Sequence, residues 1–93
     1  MNAETFRYRA GLGEHKTIPP WMFKARKGNH IRTIAPTTVH CLINHVGITL
    51  ELRLDTANIK VREGREIIGV WSGNPVHAQS KLLQIKDVLR RQM

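Results

Sequence analysis

Ninety-three residues with a net charge of +8 and a sequence pI near 10.6 describe one small basic domain, since at this length folding buries about 60–65% of the chain's surface and two cores do not fit. A single cysteine, Cys41, excludes an internal disulfide. There is no signal-peptide core after Met1 and no run near the roughly 18–20 apolar residues of a membrane span, so a cytoplasmic protein with no membrane partner is expected.

Along the chain, residues 1–20 show little periodicity. Gly11, Gly13 and the Pro19-Pro20 pair break any helix that Ala3–Ala10 begins, so the stretch reads as an extended arm. Residues 21–28 are consistent with a turn or two of helix between Pro20 and Gly28-Asn29, and His30–Ala35 reads as extended chain up to Pro36. Thr37 or Thr38 then caps a predicted helix whose apolar positions Val39, Leu42, Ile43 and Val46 recur at spacings of three and four, with Gly47 past its end. After Gly47 the period changes to two. Ile48, Leu50, Leu52 and Leu54 alternate with Thr49, Glu51, Arg53 and Asp55, the clearest strand in the chain. Ile59 and Val61 alternate with Lys60 and Arg62, Glu63-Gly64-Arg65 reads as a turn, and Ile67–Trp71 as a third apolar strand. Asn74-Pro75 opens a terminal helix to Gln92, with Leu82, Leu83, Ile85, Val88 and Leu89 as its apolar stripe.

The fold expected is α+β: a small antiparallel sheet of two to three strands packed with two helices over residues 30–93, preceded by a basic, extended, aromatic arm at 1–29 that is partly ordered on binding. The charge supports that division. Residues 1–35 hold seven Lys/Arg against two carboxylates, together with four of the five aromatics. An uneven basic excess points to an acidic partner, nucleic acid first and an acidic protein surface second. Within the arm, rings sit beside cations in Phe6-Arg7-Tyr8-Arg9 and again in Trp21-Met22-Phe23-Lys24-Ala25-Arg26-Lys27. A base stacked on an aromatic ring contributes about 1–3 kcal/mol, and each cation on a phosphate adds a salt-dependent increment. The candidate nucleic-acid-binding residues are therefore Arg7, Arg9, Lys24, Arg26, Lys27 and Arg32, with Phe6, Tyr8, Trp21 and Phe23 stacking or wedging. Packing in the core is the competing account of those rings, for Trp21 and Phe23 on the sheet first and for Phe6 and Tyr8 second.

Other chemistries find little support. Cys41 and His45 fall four apart on the predicted helix, with His30, His40 and His77 elsewhere, but structural zinc sites use close ligand pairs and here one Cys lies in an apolar stripe. No metal and no cofactor is expected. The glycines of Ala10-Gly11-Leu12-Gly13 do not extend to a phosphate-binding fingerprint, and no nucleophile, base and orienting group are brought together by spacing, so neither catalysis nor a small-molecule substrate is expected. The cadence Ile43-Asn44-His45-Val46-Gly47-Ile48-Thr49 matches the turn of a helix-turn-helix, with Glu63-Gly64-Arg65 as a wing, which leaves a winged-helix DNA-binding regulator as one alternative. The strict alternation of Leu50, Leu52 and Leu54 argues against a recognition helix there.

Over residues 37–93 the order helix, Gly47-Ile48, the alternating Leu50 and Leu52, the strand of Ile59 and Val61, and the closing Ile85-Lys86 and Val88-Leu89 resembles the TubC N-terminal docking domains, small helix–hairpin–helix modules of multienzyme synthases. The resemblance implies a short partner peptide bound along the hairpin. Two classes of function are thus expected: a small non-enzymatic nucleic-acid-binding accessory or regulatory protein, or a protein-docking or inhibitory module, of phage or mobile-element type, that uses its hairpin edge and basic arm.

Overall fold

A computed structural model describes residues 2–14 and 37–91, which form an α+β fold with one four-stranded antiparallel sheet. The elements in chain order are α1 (Ala3–Ala10), β1 (Thr37–Ile43), β2 (Val46–Leu52), β3 (Ala57–Glu63), β4 (Glu66–Gly73), a 3-10 turn (Pro75–His77) and α2 (Ala78–Arg90). The strands lie in the sheet in the order β1-β2-β3-β4, each hairpinned to the next. Among the described residues, no helix is long and apolar enough to cross a membrane.

Ala3–Ala10 is helical where extended chain was expected. Asn2 supplies the start, its side-chain oxygen accepting from the Thr5 N–H at 2.8 Å. Gly11 supplies the stop, with φ of 67° and the Leu12 N–H returning to the Arg7 carbonyl at 2.9 Å, the hydrogen-bond pattern of a glycine-terminated helix. The glycine taken as a breaker is therefore a cap. Phe6 and Ala10 point into the core, so residues 2–14 belong to the packed body and do not extend from it as an arm.

The helix predicted from Thr37 is also corrected: Thr37–Ile43 is a strand and Val46 begins the next. Between them Asn44 and His45 both take left-handed backbone, φ 51° and 69°, as the two central residues of a tight hairpin do. Thr37, Thr38, Val39 and Ile43 are β-branched, which stiffens the side chain against helix and favours a pleated surface. The alternating strand ends two residues earlier than expected, at Leu52, and Leu54 lies exposed in the loop to β3. The expected two to three strands are thus four. At the β3–β4 turn Gly64 takes φ 65° in a two-residue loop, as the Glu63-Gly64-Arg65 reading required. Val61 pairs with Gly69 but Arg62 with Ile67, so Ile68 is the extra residue of a bulge.

Strand registers sort the sheet into two faces. Val46, Ile48 and Leu50 of β2 and Ala57, Ile59 and Val61 of β3 lie on the helix-covered face, where they form the core with Phe6, Ile68, Ala78, Ile85 and Leu89. Asn74 caps the terminal helical segment by accepting from the Val76 N–H at 2.9 Å, with Pro75 in the first turn. Of the predicted stripe on α2, Ile85 and Leu89 are buried, Leu82 and Val88 pack at the margin, and Leu83 is exposed. The two helices are joined by Lys81, whose Nζ donates to the Ala10 carbonyl at 2.9 Å and the Gly11 carbonyl at 3.1 Å. Partial burial lowers the Lys81 pKa from its ordinary value. Lys81→Met, which keeps the stem and removes the donors, is expected to lower stability by about 1 kcal/mol in a urea titration, the scale of charge-assisted hydrogen bonds at a part-exposed helix end.

Candidate nucleic-acid interface

Of the ten residues proposed for binding, Phe6, Arg7, Tyr8 and Arg9 lie in the described structure and on one helix. Phe6 is only 2% exposed and packs in the core, so it is not available for stacking. A helix turn separates inward from outward positions, and Tyr8, two residues on, is 87% exposed. Arg7 is engaged by the fold itself: its Nη1 donates to the Ile68 carbonyl at the bulge, 3.2 Å, and its Nη2 lies 3.8 Å from a Glu14 carboxylate oxygen. Arg9 is exposed, its carbonyl accepting from the Gln84 amide at 3.4 Å. Trp21, Phe23, Lys24, Arg26, Lys27 and Arg32 lie outside the described residues.

The sheet face away from the helices carries polar groups in cross-strand rows that follow from register. One row is Thr38, Glu51, Asn58 and Ser72; the next is His40, Thr49, Lys60 and Val70; the third is Leu42, Gly47, Arg62 and Ile67. His40 Nδ1 lies 3.2 Å from Thr49 Oγ1 within the middle row. Burial lowers the Lys60 pKa, Arg62 on the same strand lowers it further, and Glu51 opposes both. Asn58 is fully buried and neither of its amide atoms has a hydrogen-bond partner, an arrangement that costs roughly 1–3 kcal/mol. Lys60 and Arg62 were not among the residues singled out from sequence. The signal was present in their alternation with Ile59 and Val61, which assigns them to the face opposite the core.

The cysteine–histidine pair dissolves with the helix that carried it. Cys41 lies on the helix-covered side of edge strand β1 and His45 in the hairpin turn. Among the described residues no group of three or more His, Cys, Asp or Glu is placed to hold a metal ion. The helix-turn-helix cadence falls on the β1–β2 hairpin, so no recognition helix forms at Ile43–Thr49.

Charge is segregated along the chain more sharply than its net value conveys. All seven carboxylates lie at or before Glu14 or at or after Glu51. The stretch between them holds five cations, Lys16, Lys24, Arg26, Lys27 and Arg32, and therefore five of the eight net positive charges. Just before this stretch, Gly13 and Val70 of β4 exchange backbone hydrogen bonds at 2.8 and 2.9 Å, and the described chain resumes at β1, the opposite edge strand of the sheet. No protein-family model, curated protein or solved structure matches the chain, so the docking-domain resemblance rests on the residues that carry it.

Proposed function

We propose that this protein is a small, non-enzymatic nucleic-acid-binding accessory protein whose phosphate contacts are made by the carboxylate-free residues 15–36 between Glu14 and β1. The observation that carries this reading is the charge segregation: five cations and two aromatic rings, Trp21 and Phe23, in a stretch with no acid to neutralise them. Backbone phosphates attract such a segment irrespective of sequence, and rings add stacking on bases. Exposed Arg9 and Tyr8 on α1 add a further cation and ring, while Arg7, tied to Ile68 and Glu14, acts in the fold.

Replacing Lys24, Arg26 and Lys27 together with Ala is expected to weaken binding to all sequences alike and to reduce the slope of log affinity against log salt. The reduction is about 2.7 for duplex DNA and about 2 for a single strand if all three cations neutralise phosphates. Trp21→Ala should weaken binding with little change in that slope, because stacking releases few counterions. Fluorescence anisotropy with labelled oligonucleotides across a salt series measures both, and a triple variant that binds as tightly as the parent would refute the reading. A protein-docking module is the second reading, favoured by the outer edge of β1, with which no described residue pairs.

A further inference from the structure

The two edges of the sheet are treated differently. At β4, Gly13 bridges Val70 and occupies the outer side of the strand at that residue. At β1, no described residue pairs with the outer side, and Thr37, Thr38, Val39, His40 and Leu42 are exposed. Proteins ordinarily blunt such an edge with a charge, an interior proline or a bulge. β1 has none of these: from Thr33 to Leu50 the sequence carries no Lys, Arg, Asp or Glu, and the register with β2 runs unbroken from Thr37↔Leu52 to Ile43↔Val46. An uncharged, β-branched, regular edge is a template for another strand.

We propose that β1 pairs antiparallel with β1 of a second copy of this chain, about a two-fold axis through His40, to form a continuous eight-stranded sheet. The register follows from the hairpin. In a two-residue hairpin the closing pair, here Ile43 and Val46, exchanges its backbone hydrogen bonds, and alternate residues repeat that pattern. The backbone groups of Thr37, Val39, Cys41 and Ile43 therefore point toward β2, and those of Thr38, His40 and Leu42 point outward. Centring on His40 sets Thr38 against the partner's Leu42 and His40 against the partner's His40, so every outward group meets an outward group and all seven residues overlap. The faces match as well. Val39, on the helix-covered side yet 43% exposed, meets the partner's Cys41, which extends the core across the axis.

A second copy is favoured over a charged peptide because the strand offers no charge to complement and can pair with itself, outward group to outward group, with all seven residues overlapping only in this register. Pairing over seven residues falls below the roughly 1,200 Å² of a standard interface, so the dimer is a concentration-dependent one. The pairing makes no use of the basic segment and stands or falls independently of nucleic-acid binding.

Sedimentation velocity and light scattering of the full chain at physiological ionic strength, from about 10 to about 500 micromolar, are expected to show the mass rising from 10.7 kDa toward twice that value. His40→Lys, at an exposed position that leaves the β1–β2 pairing intact, sets two ammonium groups across the axis and should hold the protein at monomer mass with an unchanged circular dichroism spectrum. His40→Cys combined with Cys41→Ala should form an intermolecular disulfide on mild oxidation, because directly opposed residues lie within disulfide reach. A parent protein that stays monomeric throughout the range, a dimer that His40→Lys leaves intact, or failure of the cysteine variant to cross-link would each overturn the proposal.

Discussion

Phe6→Ala is expected to lower the free energy of unfolding by about 3–5 kcal/mol, a large fraction of the 5–15 kcal/mol typical of a domain. The ring is 2% exposed and its site is shaped for it. A Cβ added at Gly69 of β4 would lie 3.4 Å from Phe6 Cε2 and 2.7 Å from Leu12 Cδ1, so α1 and the segment after it sit directly against strand backbone. Truncation removes apolar contact and leaves a cavity that the strand cannot collapse to fill. Tyr8→Ala, two residues along the same helix at an exposed position, should change stability by about 0.5 kcal/mol or less. Urea unfolding followed by circular dichroism compares the two. Equal, small losses would mean that α1 does not dock on the sheet. Because α1 is part of the core, deleting residues 2–14 should unfold the protein.

Leu50→Asp should leave the domain unfolded at 25 °C, whereas Thr49→Asp should shift its stability by no more than about 1 kcal/mol. Leu50 lies in an interior strand between Val39 and Ile59 on the helix-covered face and is buried. A carboxylate there loses about 1.5–3 kcal/mol of apolar burial and adds an unpaired charge costing several more, together comparable with the whole stability of the domain. Thr49 points the other way, between His40 and Lys60. A carboxylate in that row faces a lysine across the strand, an arrangement worth about 0.2–1 kcal/mol. Thermal melts of both variants test the assignment of faces, and similar behaviour at the two positions would refute it.

The residues proposed for binding divide along the same line between local signal and packing. Interleaved rings and cations at Phe6–Arg9 read as one binding cluster, yet the helix sends Phe6 inward and Tyr8 outward and spends Arg7 on the Ile68 carbonyl. Linear adjacency does not specify which residues share a face until the period of the element is known. Conversely, Lys60 and Arg62 share the face away from the helices through the period of two of β3, and register sets Thr49 and Gly47 of β2 and Val70 and Ile67 of β4 beside them.

Strand alternation was the feature that the sequence determined by itself. Ile48, Leu50, Ile59 and Val61 are buried on one face because a period of two survives any tertiary arrangement that covers one side of a sheet. The Gly64 turn and the Asn74-Pro75 helix start were equally legible, since each depends on the backbone preference of one or two residues. Only the tertiary structure decided the rest. Thr37–Ile43 has apolar spacing compatible with a helix, and became a strand because β2 offered a seven-residue ladder and Asn44-His45 could turn through left-handed backbone. Ala3–Ala10 is eight residues long, too short to hold a helix in water, and is stable because Phe6 and Ala10 bury against the body while Lys81, some seventy residues away, caps its last carbonyls.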